Sequence, residues 1–331
     1  MSRRVSLKLG LNGAFATRRW EDAGTVIRLT REVGFTSLEH CGDILDPFFM
    51  GDTAWQLEFC RQTREAAQRE GVEIWDIYTG MATHRFHGLA HSHPAVRRRM
   101  VEWLVQSMDL SLALGAARLG GHVDAIPVEK LGDPVVYQAA CEELYGEWRG
   151  VGELATQRGM RALYWEQMYT PSEIPWTLAQ QREALVALNR DRAGTPIYTT
   201  LDVGHCAGQQ YGMSGADADF REWLRRFGTF SEVIHVHQTT PQASAHWPFT
   251  PEYNEKGHIR MEEVLAALRE SHQGAADPAV AQVLAPVSEH RIVLEVIPGS
   301  TKCEDLLLEE LQISAEYLHQ FVPAEGMTWE V

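Results

Sequence analysis

The sequence lacks the usual features of membrane, nucleotide-binding and disulfide-bonded proteins. No apolar run approaches the roughly 20 residues that a membrane-spanning helix needs. There is no GxGxxG motif after the first predicted strand and no GxxxxGK[ST] motif, which argues against the two common nucleotide-binding loops. The five cysteines include no CxxC pair, so neither a cysteine zinc site nor a disulfide framework is indicated.

Basic residues are also scarce. The chain has 30 Lys and Arg against 45 Asp and Glu, which gives a formal net charge of −15. This charge disfavours binding to nucleic acid or to an anionic membrane surface. Because the polar N-terminal residues do not resemble a signal peptide, we expect a cytoplasmic protein that acts on small molecules.

Short apolar segments alternate with longer segments of helical periodicity. The predicted strands are Ser6–Asn12, Ser37–Glu39, Glu73–Tyr78, Ala117–Gly121, Arg161–Glu166, Ile197–Asp202, Val233–His237 and Ile292–Val296. The predicted helices are Trp20–Val33, Trp55–Glu70, Pro94–Leu114, Val135–Arg158, Leu178–Ala193, Ala216–Phe227, Met261–Arg269 and Leu306–Phe321. This alternation predicts an α/β fold, a single (β/α)8 TIM barrel over residues 1–331. Extended loops are predicted after strand seven (238–258) and before strand eight (271–290).

Ionisable side chains end the last four predicted strands, where the active site of such a barrel lies. Strands five, six and eight end in Glu166, Asp202 and Glu295, and strand seven carries His235 and His237. Side chains alternate along a strand, so the two histidines face the same way. An oxygen-rich site with an imidazole suits Mn²⁺, Mg²⁺, Co²⁺ or Zn²⁺, and the sequence therefore predicts one divalent metal ion here.

The other half of the rim offers fewer candidates. His205 follows Asp202 at i+3 and has three possible roles: a ligand, a contact to substrate or a helix cap. Tyr78 ends strand three and His122 follows strand four, and we expect His122 in the pocket. The preceding Gly120 and Gly121 allow either a close approach of a ligand or relief of crowding inside the barrel.

Four histidines lie close together between strand three and the next predicted helix. They are His84, His87, His91 and His93. A lid over the site is one interpretation of this cluster. We favour a solvated loop as the simpler one.

These residues resemble those of the xylose isomerase-like superfamily of sugar isomerases and epimerases, over nearly the whole chain. Residues 202–205 resemble its Asp-x-x-His element, and residues 235–237 resemble its His-x-His strand. The resemblance implies that His205 contacts the substrate. It also implies a single metal ion held by four ligands: Glu166, Asp202, His237 and Glu295.

A narrower resemblance is to the branch that contains erythrulose-phosphate isomerases and apiose-handling isomerases. It rests on the motifs at residues 166–168, 173–175, 246–250 and 254–257. Two departures concern Gln167, where the branch often has proline, and residues 238–240, where many members have Leu-Lys-Asp. The missing lysine leaves phosphate binding to Lys256, to His258 or to backbone amides.

The resemblance implies isomerisation of a ketose or ketose phosphate of about four or five carbons through an enediolate. Glu166 and Glu295 are expected to move the protons, while His205 and His122 bind hydroxyl groups or the enediolate oxygens. Trp165 and Trp247 are expected to shape the pocket. The same enediolate also serves ketose 3-epimerisation and dehydration of a keto-polyol, which remain alternatives. A homodimer or homotetramer is expected from the resemblance alone.

Two other classes of protein compete with this interpretation. The same barrel serves endonucleases that cut abasic DNA with a three-zinc cluster, which needs an Asp-x-His pair after strand seven. Residues 248–257 contain no such pair. A non-catalytic sugar-binding protein would not need paired carboxylates beside its ligand, and it would leave the alpha proton of a ketose in place in deuterated water.

The paired-carboxylate hypothesis predicts that Glu166→Gln and Glu295→Gln each abolish turnover, because an amide cannot accept the proton. The measurement is the rate of conversion of a candidate ketose by each metal-loaded variant. Near-full activity of either variant would remove that residue from the role of base.

Overall fold

The structure, a computed structural model, describes residues 3–331 apart from the side chain of Met81. Within these residues the strands are β1 (Arg4–Asn12), β2 (Ser37–Cys41), β3 (Glu73–Tyr78), β4 (Arg118–Gly120), β5 (Ala162–Glu166), β6 (Ile197–Asp202), β7 (Val233–Val236), β8 (Glu289–Leu294) and β9 (Met327–Glu330). Strands β1 to β8 pair in order and in parallel, and β8 pairs back onto β1. The sheet is therefore a closed eight-stranded barrel, and the predicted fold is confirmed.

The sequence analysis did not predict strand β9. It runs antiparallel to β1, with Arg4 opposite Glu330 and Leu7 opposite Met327. Strand β1 pairs with β2 only at Leu11 and Asn12. The C-terminal strand therefore supplies backbone partners to the first half of β1, which β2 is too short to reach.

Helices surround the barrel. They are α1 (Thr25–Glu32), α2 (Thr53–Glu70), α3 (Met81–Arg85), α4 (Pro94–Leu114), α5 (Pro134–Arg158), α6 (Leu178–Asn189), α7 (Phe220–Phe227), α8 (Pro251–Lys256), α9 (Met261–Glu270) and α10 (Glu304–Leu318). Helix α4 has the predicted bounds because Pro94 suits a first turn and Gly115, at φ 86°, ends the helix. Helix α1 begins five residues later than Trp20, and the short helices α3 and α8 lie in predicted loops. Within residues 3–331 no helix combines the length and apolar character needed to cross a membrane.

The strands place alternate side chains inside the barrel and against the helices. On β5, Tyr164 packs in the interior cluster and Trp165 packs in the outer core beside Tyr145 and Trp148. Glu166 shares the inward face with Tyr164. The same alternation turns His235 inward on β7, so catalytic candidates and interior packing residues share the same face of each strand.

A compact cluster closes the amino-terminal half of the barrel interior. Trp75 packs there with Tyr164, Val233 and Val293. The guanidinium groups of two buried arginines lie 3.6 Å and 3.8 Å from the centre of the Trp75 ring. They belong to Arg118 and Arg291, which pair with Glu232 at 3.0 Å and Glu73 at 2.8 Å. This filled end leaves space for a ligand only at the carboxyl ends of the strands.

Gly120 and Gly121 relieve crowding inside the barrel. A Cβ atom on Gly120 would lie 2.4 Å from the carbonyl oxygen of Tyr164, and one on Gly121 would lie 2.5 Å from the Tyr78 ring. Gly121 also has a φ of 120°, which side-chain-bearing residues rarely adopt. Of the two roles considered for this pair, packing against these tyrosines is the one observed.

We expect Gly120→Ala to lower the free energy of unfolding by about 1–3 kcal/mol or more, because β4 and β5 must separate to admit the methyl group. Urea unfolding followed by circular dichroism measures this change. Gly146→Ala is the matched control, since Gly146 lies exposed in α5 with no neighbouring atom near its Cβ position. It should gain about 0.5–1 kcal/mol from helix propensity. Equal stability of the two variants would contradict the crowding argument.

Candidate active site

A cavity of about 760 Å³ opens at the carboxyl ends of the strands. Tyr78, His205, His246 and Glu295 are among the residues that line it. These residues come from the ends of β3, β6 and β8 and from the loop after β7. The cavity therefore lies where barrel enzymes place their chemistry.

Carboxylates at or directly after the ends of four strands surround the imidazole of His235, which is completely buried next to the cavity-lining Glu295. Its Nδ1 atom lies 3.0 Å from Glu166, 3.3 Å from Glu295 and 3.8 Å from Asp202. Its Nε2 atom lies 2.8 Å from Glu39. Although burial alone would lower the pKa of His235, the adjacent Glu39 and Glu295 raise it well above its usual value. The surrounding carboxylates therefore favour the protonated form of His235.

Asn12 and Asp76 both lie next to Glu39 in the site. The Asn12 amide donates to Glu39, and its nitrogen lies 3.4 Å from Glu295. Burial and the neighbouring Glu39 raise the pKa of Asp76 well above its usual range. Strands two and three thus contribute Glu39 and Asp76, which the sequence analysis did not place in the site. Glu39 ends its predicted strand, which was the available signal for it, whereas the register shift beside Leu38 and Glu39 leaves no such signal for Asp76.

His237 lies on the other side of Asp202. Its Nε2 atom is 3.1 Å from Asp202 Oδ1, and its ring stacks on that of His246 at 4.2 Å. A Cβ atom on Gly204 would lie only 2.3 Å from His237, so this glycine permits the approach. The nitrogen of Gly204 also donates to Asp202 at 2.6 Å. The glycine of the Asp-Val-Gly-His segment therefore has a steric role in the site.

The predicted ligands thus do not form one compact group of four. Glu166, Asp202 and Glu295 have ligand atoms within 4.8 Å of each other and of His235. His237 instead groups with Asp202 and His246 within the same limit. Asp202 belongs to both groups, and the assignment of His237 as the fourth ligand stays a prediction.

His205 is held in a defined orientation at the edge of the cavity. Its Nδ1–H donates to the carbonyl of Gln167 at 2.6 Å, and its Nε2 lies 3.6 Å from Asp202 Oδ2. The Gln167 side chain donates in return to the His205 carbonyl at 3.2 Å. Tyr169 packs against the His205 ring at 4.8 Å. Gln167 therefore positions His205 through both its backbone and its amide.

A second group of side chains in the site begins at Tyr78 and continues through His84 to His122. The Tyr78 hydroxyl donates to Glu166 at 3.1 Å and lies 2.9 Å from Nε2 of His84. His84 stacks on His122 at 4.3 Å, and His122 lies 3.6 Å from Glu173. Both ring nitrogens of His122 lack a hydrogen-bond partner within the described residues. Tyr78 and His122 are near the site as predicted.

Three residues of the site were not among the predicted ones. His84 was assigned to a solvated loop, but it lies in α3 and lines the cavity. Glu173 and His246 also line the cavity. His246 has a left-handed backbone, with φ 47°, and its Nδ1 lies 3.3 Å from Glu295. Glu173 and His246 lie in loops after strands and His84 lies in a five-residue helix, and periodicity does not predict the direction of a side chain in such segments.

Four residues predicted to bind substrate lie outside the cavity. Trp165 points outward because Glu166, the next residue, points inward, and its indole N–H donates to the Ile174 carbonyl at 2.6 Å. Trp247 stacks on Tyr253 at 5.1 Å. The outward orientation of Trp165 contradicts its predicted role, whereas substrate binding by Trp247, Lys256 and His258 stays a prediction.

Lys256 and His258 each have contacts on the outer part of the loop after β7. Lys256 is more than half exposed and pairs with Glu252 one turn earlier in α8, at 2.5 Å. His258 packs against Phe220, with ring centres 6.0 Å apart. Neither residue lines the cavity. Both predictions relied on proximity to the branch motif along the sequence, which does not determine proximity in space.

The donor atoms fit a divalent ion. Asp202 Oδ2 is buried and has no hydrogen-bond partner within residues 3–331, and the buried Glu295 Oε2 has only the imidazole nitrogens of His235 and His246, each 3.3 Å away. Unpaired buried carboxylate oxygens are unfavourable, and a bound cation would satisfy them. Carboxylates with one or two imidazoles match the ligand preferences of Mn²⁺, Co²⁺ and Zn²⁺. The residues present therefore fit the predicted metal ion.

We expect Mn²⁺ or Co²⁺ to raise the melting temperature of the metal-stripped protein. An ion at 100 times its dissociation constant stabilises the folded state by about 2.7 kcal/mol. Asp202→Asn should abolish the rise, because Asp202 belongs to both groups of ligand atoms. Asp305→Asn, an exposed change in the first turn of α10, should keep it. A full metal-induced rise in Asp202→Asn, measured by differential scanning fluorimetry, would contradict this assignment of the site.

Comparisons with known sequences agree with this description. Residues 27–278 match the family described as Xylose isomerase-like TIM barrel. The D-erythrulose 1-phosphate 3-epimerase of Brucella abortus (strain 2308) is 26% identical over 295 residues, which are 89% of this chain and 93% of that relative.

Solved structures resemble the fold closely. A candidate xylose isomerase from Rhodospirillum rubrum ATCC 11170 has a TM-score of 0.81 at 18% identity and covers 96% of this chain and 100% of its own. The D-psicose 3-epimerase of Clostridium cellulolyticum H10, solved with D-tagatose, has a TM-score of 0.64 at 15% identity and covers 95% and 98%. At these identities the structures support the fold. Because the family match spans most of the sequence, the chain belongs to the Xylose isomerase-like TIM barrel family.

Proposed function

We propose that this protein is a metal-dependent 3-epimerase of a tetrulose phosphate. The protein is an enzyme of the sugar isomerase and epimerase class, and the finer assignment rests on one observation. Two buried carboxylates, Glu166 at the end of β5 and Glu295 directly after β8, both lie about 3 Å from Nδ1 of His235, and Glu295 also lines the cavity. Two proton-transferring groups beside one carbon are what inversion at that carbon requires.

Epimerisation is preferred over isomerisation for a stereochemical reason. An aldose–ketose isomerisation moves a proton between neighbouring carbons on one face of a cis-enediolate, so one base suffices. Inversion at C3 removes the proton from one face and returns another proton to the opposite face, so two groups are needed. The curated relative is itself named as a 3-epimerase. The alternative activity of the sequence analysis thus becomes the preferred one.

Each of four residues has a distinct role in the proposed epimerisation. One of the two glutamates takes the proton from C3, and the carboxyl group of the other returns a proton from the opposite face. Tyr78 orients Glu166 through its hydrogen bond at 3.1 Å. His205, oriented by its hydrogen bond to the Gln167 carbonyl, hydrogen-bonds a substrate hydroxyl through Nε2. A bound divalent ion supplies positive charge that stabilises the oxyanion formed when the proton leaves.

A single substrate tests the proposal. D-erythrulose 1-phosphate has one stereocentre, C3, so epimerisation in deuterated water should abolish its optical rotation and place one deuterium at C3. Polarimetry and proton NMR of the Mn²⁺-loaded enzyme measure both changes. A ketose phosphate whose carbonyl has moved to C3, with deuterium at C2, would identify an isomerase instead, and an unsaturated or dicarbonyl product would identify a dehydratase. Metal binding without exchange at C3 would contradict the proposal.

A further inference from the structure

We propose that Arg18 and Arg85 form the subsite that binds the phosphate group of the substrate. This inference rests on the proposed function and identifies the cations that the sequence analysis sought at Lys256 and His258. Both arginines line the cavity that contains Glu295 and His205. They approach it from different elements, the loop after β1 and helix α3.

The charge state of the cavity favours these two arginines. Three arginines line it: Arg18, Arg19 and Arg85. Arg19 is already engaged, since it pairs with Glu304 at 2.5 Å and donates to the carbonyls of Lys302 and Gly299 at 2.8 Å and 3.1 Å. Arg18 and Arg85 have no carboxylate partner within residues 3–331. They are therefore the cations of the cavity that remain available to a ligand anion.

Each free arginine sits next to a residue that is fixed in place. Arg19 ties the segment after β1 to the loop after β8, and Arg18 precedes it with a left-handed backbone, φ 62°. His84 ties α3 to the wall of the site through Tyr78 and His122, and Arg85 follows it. The two guanidinium groups are thus carried by anchored backbone and need not order a loop when an anion binds.

The chemistry of the cavity favours a phosphate over a neutral end group. The floor is acidic, with Glu166, Asp202 and Glu295 from three strands, and it suits the carbonyl and hydroxyl end of the substrate together with a metal ion. A dianion near this floor would be repelled. The exposed Arg18 and Arg85 at the cavity wall provide up to ten N–H donors in two planar forks, which match phosphate oxygens. Ser300 also lines the cavity and adds a hydroxyl donor.

The test compares a phosphorylated substrate with its free analogue. For D-erythrulose 1-phosphate, Arg18→Ala and Arg85→Ala should each raise KM about tenfold or more and leave kcat within about threefold. For unphosphorylated erythrulose the same variants should leave KM within twofold. Arg18→Lys should be intermediate, because an ammonium keeps the charge and loses the fork. The matched control is Arg98→Ala, since Arg98 is an exposed arginine of α4 outside the cavity.

An unchanged preference for the phosphorylated substrate in both alanine variants would overturn the subsite while leaving the epimerase proposal intact. A second measurement separates the two proposals if no tetrulose reacts. Inorganic phosphate binding to the wild-type protein, followed by ³¹P NMR and lost in the Arg18→Ala/Arg85→Ala double variant, would support the subsite. Equal phosphate binding by the double variant, or none by the wild type, would overturn it.

Discussion

Burial of like charges inside the barrel is the constraint on which the site depends. Glu39, Glu166, Asp202 and Glu295 are almost completely buried and converge on His235 within 3.8 Å. Uncompensated, such charges would be strongly unfavourable at this depth. These carboxylates favour the protonated form of His235, and the buried Asp202 Oδ2 still has no hydrogen-bond partner within residues 3–331. The protein thus folds around a site that needs a cation, which connects its stability to the metal ion expected there.

The closed barrel makes this arrangement possible because it separates two kinds of interior. Towards the amino-terminal ends, Trp75 lies between the guanidinium groups of Arg118 and Arg291, and both arginines pair with carboxylates. Towards the carboxyl-terminal ends, the interior is acidic and open. The same strands supply both layers, since Tyr164 and Glu166 are two residues apart on one face of β5. Packing at one end therefore fixes the position of the chemistry at the other.

The fold could be predicted because it depends on features that a sequence displays directly. Strand and helix periodicity, capping residues and the order of elements led to eight strands whose bounds are nearly those observed. The charged ends of β5, β6 and β8 followed from the same periodicity. Successive side chains of a strand point to opposite faces, so an inward Glu166 already excludes Trp165 from the pocket. The predicted roles of these two neighbours were therefore incompatible. That correction required no structure.

Loop residues could not be placed in this way. His84, Glu173 and His246 enter the site from loops or a five-residue helix, where neither period two nor period 3.6 applies. A shift of register between β2 and β3 next to Leu38 and Glu39 also breaks strict alternation, so Trp75 packs in the interior cluster while Asp76 approaches Glu39. Such a bulge leaves no clear mark in the sequence. The direction of a side chain in a segment that follows a strand therefore requires a structure, even where the strand itself can be predicted from the sequence.

The carboxylates around His235 and the arginines that line the cavity together limit which substrates can bind productively. A short ketose must bring its carbonyl and C3 hydroxyl to Glu166 and Glu295, while any anionic group must avoid the same carboxylates. A chain of four carbons places its two ends only a few bonds apart, so a cation is needed within that reach. Arg18 and Arg85 line the same cavity as Glu295, whereas Lys256 lies outside it and is paired with Glu252. Under the two proposals above, a phosphorylated substrate would bind with its phosphate at Arg18 and Arg85 and its reacting carbon towards the glutamates.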